Sequence, residues 1–413
     1  MPTFQQAFLG QLPPLPAGQH LMDFLSFKIG NNFFCFVSAL NERRDQPALC
    51  RIFKLVEDPK LRLDPKPIFS RLYFHARNIA VVESNHDSVW LWVADHGADI
   101  EPYTGGSSPL FQIFGDGRCS EHNAPLLKID QFSFDGIMWK HPNDGSTWLF
   151  QCNIGRSPPR LLRWTEEPEK MTDESSLLPK VMLDQSRRFL VSRQVGRSDE
   201  GILIYLGNDD SLETPIQSFP KDALLQISWC IDAESKNIRV NFDEDVLPDR
   251  PREASWSTVE LLEQSNLWLA LTHNRGWSEG AAVIYQVRLE EKIINQIQIR
   301  AFPDLAATQH WAARAAISPN TESIIIYLRN PQGQPIAGSK NNTLWLRRSA
   351  AEEQIFVSNN PEFGIGYFVG GFFWTNDHCI QLNSLGQLVS FRLMDLPKKN
   401  WLQSFLSRRM KTF

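Results

Sequence analysis

Long apolar runs are missing from this sequence, and so is a recognisable export signal. No stretch approaches about 18 uninterrupted apolar residues, the length that a membrane-spanning helix requires. The first 20 residues lack the basic start and the long apolar core of a secretory signal. We therefore expect a cytoplasmic protein without a transmembrane segment.

Clustered cysteines are also missing. No two of the six cysteines form a CxxC pair, and their spacing does not resemble a disulfide framework. In a chain of 413 residues, such scattered cysteines are typical of small buried side chains in a reducing compartment. They are Cys35, Cys50, Cys119, Cys152, Cys230 and Cys379.

A strong excess of one charge is missing as well. The chain has 42 basic and 47 acidic residues, which gives a net charge of -5. Nucleic-acid-binding domains usually carry a strongly basic face. We therefore expect no nucleic-acid partner.

Amphipathic helices of useful length are nearly absent before the C-terminus. Short runs rich in β-branched and aromatic residues instead alternate with clusters of Asn, Asp, Gly, Ser and Pro. This pattern is typical of an all-β protein with many short strands. Four prolines in residues 1–20 indicate an extended N-terminal arm, and the strand-rich region covers residues 21–394.

The segment "AAISPNTESIIIYLRN" (315–330) predicts a hairpin, because a polar turn joins two apolar runs. The same pattern recurs along the chain, each copy with a large apolar residue in its second run, at intervals of 30 to 58 residues. Such a period, with four short strands per unit, is the signature of propeller blades. The anchoring residues are Phe34, Trp90, Trp148, Leu190, Ile238, Trp268, Ile325 and Ile380.

We therefore predict a single β-propeller of four-stranded blades, with seven blades and with six or eight left open. The shortest interval, from Ile238 to Trp268, is too short for a blade, so one of its hairpins should be an outer pair. Segments 23–29 and 387–393 are the predicted partners in the blade that closes the ring. A pair of β-sandwiches and a β-solenoid remain as alternative architectures.

The segments "AAISPNTESIIIYLRN" and "NNTLWLRRS" resemble the blade pattern of WD40-like and TolB-like β-propellers. The chain departs from the WD40 pattern because it has no regular Gly-His or Trp-Asp dipeptides, and Thr321 stands at the usual turn glycine. The resemblance implies the architecture and no particular activity.

Three polar clusters could in principle carry chemistry. Asp95, His96, Asp99 and Glu101 lie in one loop, and Cys119 and His122 have half of a zinc-site spacing. The acidic cluster of Asp243, Glu244, Asp245 and Asp249 lacks the glycine of a calcium loop. None has a complete ligand set, so we predict no catalytic residue, no metal site and no cofactor. Ser318 lies in a hairpin turn, which excludes a nucleophile elbow.

The C-terminal segment, residues 395–413, predicts a basic amphipathic helix beginning near Pro397. It could pack on the propeller itself, dock on a partner, or lie on an anionic membrane surface. The predicted contact residues are Lys398, Lys399, Trp401, Leu402, Phe405, Leu406, Arg408 and Arg409.

Two functions fit these observations. The first is a non-enzymatic scaffold that binds one or more proteins in a multiprotein assembly. The second is a propeller hydrolase or lactonase with a metal at the central channel, which requires polar side chains from several blades to converge. The absence of any catalytic motif favours the scaffold.

Overall fold

The computed structural model describes residues 3–43, 45–57, 60–95, 109–127, 133–153, 158–183, 189–198, 200–208, 223–229, 238–243, 255–263, 266–273, 284–288, 293–297, 311–318, 323–329, 343–348, 353–357 and 368–394. The described strands form seven antiparallel sheets. Three short 3-10 turns are the only helical elements in these ranges. None of the described helical elements is long and apolar enough to cross a membrane.

The sheets follow one another along the chain. The first comprises β2 (Gln19–Ile29), β3 (Asn32–Asn41), β4 (Ala48–Glu57) and β5 (Leu61–Leu63), and β6 (Phe69–Tyr73) also pairs with β4. The second comprises β7 (Ala76–Asn85), β8 (Ser88–Asp95), β9 (Leu110–Phe114) and β10 (Cys119–His122). The third comprises β11 (Ser133–Lys140), β12 (Thr147–Asn153), β13 (Arg160–Trp164) and β14 (Thr172–Asp173).

The fourth sheet comprises β15 (Phe189–Ser198), β16 (Gly201–Asn208), β17 (Ala223–Trp229) and β18 (Ile238–Asp243). The fifth comprises β19 (Ser255–Glu263), β20 (Asn266–His273), β21 (Ile284–Arg288) and β22 (Ile293–Ile297). The sixth comprises β23 (Trp311–Ile317), β24 (Ser323–Arg329), β25 (Thr343–Arg348) and β26 (Glu353–Val357). The seventh comprises β27 (Phe368–Thr375), β28 (His378–Asn383), β29 (Gln387–Met394) and β1 (Thr3–Gln11).

The sheets are arranged as in a β-propeller, which confirms the predicted fold class. The first strand of each sheet contacts the first strand of the next, and β27 contacts β2. This order returns to its starting point, so each sheet has a neighbour on both faces. The described residues contain seven sheets, and the blade number of the full chain stays a prediction.

The apolar core lies between neighbouring sheets. One buried cluster joins Trp139 and Trp148 of the third sheet to Ile204 and Ile227 of the fourth. Similar clusters join the seventh sheet to the first, the first to the second, the second to the third, and the sixth to the seventh. Stacking buries both faces of sheets that could not bury them alone.

Most predicted hairpins are confirmed. Six of the anchoring residues lie in the second strand of their sheet: Phe34, Trp90, Trp148, Trp268, Ile325 and Ile380. The turn at Ser318 is as predicted, because its backbone N–H donates to the carbonyl of Ser323 at 2.9 Å and its hydroxyl accepts from the Ser323 N–H at 2.9 Å. Both groups of Ser318 thus stabilise the hairpin.

The assignment of the fourth sheet was wrong in one respect. Leu190 lies in the first strand, β15, and Ile238 in the fourth, β18. The second strand is β16, which follows a tight turn where Ser198 pairs with Gly201. Residues 195–201 are as polar as a surface loop, and this composition hid the turn. The expected outer pair is real, since β17 pairs with β18.

The prediction for the closing strand was also wrong. The structure pairs β29 with β1, from Thr3 opposite Met394 to Gln11 opposite Gln387, and not with segment 23–29. That segment belongs to β2, in the first sheet. The prolines at 13, 14 and 16 lie after β1, in the connection to β2, so the first half of the predicted arm is free to form a strand.

Candidate interaction surface

Asp95, the first residue of the predicted polar cluster, is a structural carboxylate. Asp95 is buried at the end of β8 and accepts backbone N–H groups from Phe74 at 3.3 Å and from His75 at 2.8 Å. These bonds fix the chain before β7, where a buried carboxylate needs donors. His96, Asp99 and Glu101 lie outside the described residues.

Cys119 and His122 do not form half of a zinc site. They lie three positions apart on β10 and therefore point to opposite faces of the sheet. Cys119 packs on the cluster of the first and second sheets, where burial raises the pKa of its thiol to about 11. His122 stacks edge-on against Trp90, with 4.9 Å between ring centroids, and lies 3.9 Å from a Glu169 carboxylate oxygen.

The remaining predicted positions give little further chemistry. Asp243 ends β18, whereas Glu244, Asp245 and Asp249 lie outside the described residues. Within the described ranges, no three His, Cys, Asp or Glu side chains are grouped as for a metal ion. The described cysteines are free thiols: Cys35, Cys50, Cys119, Cys152 and Cys379.

A buried polar chain at the β11–β12 turn was not recognised from the sequence. Trp148 donates its indole N–H to the Ser146 hydroxyl at 3.0 Å, and that hydroxyl donates to the Asp144 carboxylate at 2.6 Å. The other carboxylate oxygen of Asp144 accepts from Arg163 at 2.6 Å. Although burial opposes ionisation, the hydrogen bonds from Ser146 and Arg163 lower the pKa of Asp144.

His141 extends this chain towards the fourth sheet. Its Nδ1 atom lies 3.3 Å from the Asp144 carboxylate and accepts the Asn143 backbone N–H at 3.3 Å. The ring packs edge-on against Trp229, with 5.1 Å between centroids. Burial lowers the pKa of His141 more than the neighbouring carboxylate raises it. The network therefore connects the third sheet to the fourth, and its side chains are buried or only partly exposed, which indicates a structural role.

The outer edge of β1 differs from the other outermost strands. β1 has nine residues, whereas the outermost strands of the other sheets have two to six. Its sequence, TFQQAFLGQ, contains no charged residue and no proline. Among the described strands, β1 is paired only with β29. One row of its backbone N–H and C=O groups therefore faces away from the sheet.

Four of the β1 side chains whose burial is described are open to solvent. Gln5, Ala7, Phe8 and Gln11 are exposed, and Phe8 retains 55% of its accessible surface. Soluble proteins usually protect such edges with charge, proline or a short strand. β1 has none of these three protections, so its edge and the exposed Phe8 form a candidate contact surface.

The turn between β28 and β29 adds a second apolar residue to the same blade. Leu385 is 51% exposed, and its carbonyl accepts the Gln11 side-chain N–H at 2.7 Å. The Leu12 N–H donates to the carbonyl of Gly386 at 2.8 Å. These bonds hold the end of β1 against the turn. We define the edge of β1 together with Leu385 as the rim surface.

The rim surface lies next to the point where the C-terminal segment begins. Met394, the last described residue, pairs with Thr3 at the start of β1. The predicted contact residues in the C-terminal segment, from Lys398 to Arg409, lie outside the described residues. The sequence signal for the rim surface is the uncharged run TFQQAFLGQ ahead of the prolines. Because this run was assigned to the N-terminal arm, it was not recognised as a strand.

No known protein-family model and no curated protein sequence matches this chain. Its structure is similar to that of BBS1N crystallised in complex with ARL6DN, with a TM-score of 0.51 and 10% identity over 95% of this chain and 97% of the other. It is also similar to virginiamycin B lyase from Staphylococcus aureus, with a TM-score of 0.48 and 12% identity over 95% of this chain and 100% of that one. YCF48 bound to D1 peptide gives a TM-score of 0.47 and 10% identity over 95% and 96% of the two chains.

At this level of identity, the similarity establishes the β-propeller fold alone. The same fold supports unrelated activities, so any function has to be argued from the surface of this chain.

Proposed function

We propose that this protein is a non-enzymatic interaction scaffold, a β-propeller subunit of a multiprotein assembly in the cytoplasm. The observation that carries the proposal is the rim surface, with its long uncharged edge strand and its exposed Phe8. An edge of this kind can add a strand from another chain, since main-chain hydrogen bonds supply affinity and alternate side chains supply specificity. The BBS1N propeller, which was crystallised with a protein partner, supports the proposal by analogy of fold.

The C-terminal segment is a proposed second contact with a partner. Its apolar residues recur with the spacing of one helix face and its other positions are largely basic or polar, as expected for a helix that docks in a groove. The proposed contact residues are Lys398, Lys399, Trp401, Leu402, Phe405, Leu406, Arg408 and Arg409. Anionic vesicles distinguish docking on a protein from contact with a lipid surface, because only lipid contact would retain the chain on them.

Affinity capture of the tagged chain from its native host tests the scaffold proposal. We expect stoichiometric co-purification with other polypeptides or with untagged copies of this chain. A Phe8→Lys variant should lose the complexes that use the rim surface, whereas deletion of residues 395–413 should lose those that use the C-terminal segment. A chain that emerges alone and monodisperse from its own cell extract would contradict the proposal.

Elemental analysis of the purified protein tests the alternative hydrolase. Stoichiometric calcium or a transition metal would favour a metal site in the channel over the scaffold. We expect neither to co-purify.

A further inference from the structure

We infer that the rim surface binds a second copy of this chain, with the two β1 strands paired antiparallel about a two-fold axis at Gln6. This inference rests on the proposed function and names the partner that occupies the edge. A two-fold contact uses the same surface on both subunits, so the edge strand must be compatible with its own reversed copy. The sequence of β1 can be tested directly for that property.

The central residues of β1 satisfy this requirement. With Gln6 on the axis, Phe4 lies opposite Phe8 of the second copy, Gln5 lies opposite Ala7, and Gln6 lies opposite itself. Aromatic pairs across neighbouring strands are favourable, whereas like charges directly opposite are unfavourable. The uncharged run FQQAF therefore meets no repulsion when paired with itself.

The part of β1 that pairs with β29 without a bulge is about as long as the paired segment in this register. Its pairing with β29 is unbroken from Thr3 to Phe8 and shifts between Phe8 and Gly10. A bulge bends a strand and interrupts its edge. The straight part therefore ends at Phe8, so the register centred on Gln6 uses nearly all of it.

The side chain of Phe8 supports an occupant on this edge. Phe8 lies opposite Val389, which is fully buried in the cluster with Ile325 and Tyr327. Phe8 continues this apolar layer outwards, yet 55% of its surface is exposed. A neighbouring strand with an aromatic residue in register would extend the same layer.

The position of the edge allows two copies to approach. β1 is the outermost strand of its sheet, so pairing joins two propellers at their rims. The antiparallel register places Thr3 of one copy opposite Leu9 of the other. Met394, which pairs with Thr3, therefore lies at opposite ends of the joined strands in the two copies.

Two double variants of the full chain test the register. Gln5→Glu/Ala7→Glu places like charges opposite each other twice in the dimer, whereas Gln5→Glu/Ala7→Lys places opposite charges there twice. Gln5 and Ala7 are both exposed, and in both variants Glu at position 5 lies opposite Arg392 of its own sheet. The two variants therefore differ only in the side chain at position 7. Thermal unfolding checks that both variants are folded.

Sedimentation of a dilution series measures the dimer constant. The wild-type chain should form a reversible dimer of twice its 47.4 kDa mass. The Glu/Lys variant should dimerise with a Kd about tenfold or more below that of the Glu/Glu variant, from two cross-strand charge pairs. Phe8→Ser should weaken the dimer, and Leu72→Ser should not, although Leu72 on β6 is 56% exposed.

The following results would contradict the inference that a second copy binds the rim surface. A wild-type chain that stays monomeric throughout the series excludes the second copy, and equal Kd values for the two double variants place the dimer contact elsewhere. If the monomer instead captures a different polypeptide and Phe8→Ser abolishes that capture, the second-copy inference fails while the scaffold proposal stands. A wild-type chain that neither dimerises nor captures another polypeptide contradicts both the second-copy inference and the scaffold proposal.

Discussion

Gln5 lies directly opposite Arg392, so residues near the two ends of the chain are neighbours in one sheet. The ring of described sheets is therefore closed by pairing β1 with β29, the first and last described strands. The strands between these two residues belong to the other sheets and to the inner part of the closing sheet.

A cross-link at this position should stabilise the protein. In Gln5→Cys/Arg392→Cys the two residues are directly paired, and paired residues in antiparallel strands lie within the range that a disulfide spans. Oxidation should raise the free energy of unfolding by about 2–4 kcal/mol, because the bond closes a very long loop in the unfolded chain. Denaturant unfolding with and without reductant measures the change.

The matched control places the two cysteines at diagonal positions instead of directly opposite each other. Ala7→Cys/Arg392→Cys removes the same arginine, but Ala7 lies opposite Ser390, and diagonal positions are about 7–8 Å apart. We expect this pair not to cross-link. Efficient oxidation of the diagonal pair in place of the direct pair would disprove the described pairing of β1 with β29.

Removal of the Asp144 charge should destabilise the third sheet. Asp144→Asn loses the ion pair with Arg163 and weakens the bonds that fix Ser146. Because both side chains are largely buried, we expect a loss of about 1–3 kcal/mol in the free energy of unfolding. Asp116→Asn is the control, since its ion pair with Arg118 is exposed and should contribute little. Equal losses in the two variants would contradict this account.

The stability of the protein should depend on the protonation of His141. Burial lowers the pKa of this histidine below its ordinary value of 6.5, so the unfolded chain binds its proton more tightly than the folded protein does. The contribution of neutral His141 to the free energy of unfolding is fully present above about pH 6.5. It is lost as the pH falls from there to the lowered pKa of the folded state.

A His141→Gln variant isolates this contribution. The difference in unfolding free energy between wild type and variant should shrink as the pH falls through that window. His378, whose pKa burial also lowers, is present in both proteins and cancels in the difference. A difference that stays constant from neutral pH to about pH 5 would show that His141 does not titrate in this way.

A side chain at Gly371 should be poorly tolerated. A β-carbon there would overlap the Tyr327 hydroxyl and lie 2.6 Å from the carbonyl oxygen of Ile380. Since the second contact is with backbone, Gly371→Ala should lower the free energy of unfolding by about 2–4 kcal/mol. Gly145→Ala is the control: its β-carbon would meet nothing within 4 Å, so it bears only the strain of a positive φ of 66°.

Thermal unfolding of both glycine variants measures the difference. We expect Gly371→Ala to unfold at a clearly lower temperature than Gly145→Ala. The reverse order would mean that the close approach between the sixth and seventh sheets is not as described.

The sequence allowed the repeat, the strand content and most second strands to be predicted, because alternating apolar runs report burial between sheets. One further signal was available. Gly136 lies close to Trp92 of the preceding sheet, and Gly371 lies close to Tyr327 of the sheet before its own. In each of these two first strands a tryptophan follows the glycine by three residues, at Trp139 and at Trp374. In these two first strands, a glycine followed three residues later by a tryptophan accompanies close packing against a large aromatic side chain.

The rest could not be predicted from local patterns. The pairing of β1 with β29 joins segments from opposite ends of the chain, and no pattern within either segment specifies its partner. The hairpin of β15 and β16 was hidden because its turn region is as polar as a loop. The rim surface depends on which strand is outermost, and that follows only from the pairing.

The pairing of β1 with β29 also imposes an order on biosynthesis. Residues 3–11 leave the ribosome before the other described strands, and their partner, residues 387–394, is the last of these strands to be made. At usual rates of translation, β1 waits on the order of 20–75 s for its partner strand. An uncharged strand that stays unpaired for so long is at risk of pairing with other chains. The propeller can reach its final form only after translation of the last blade is complete.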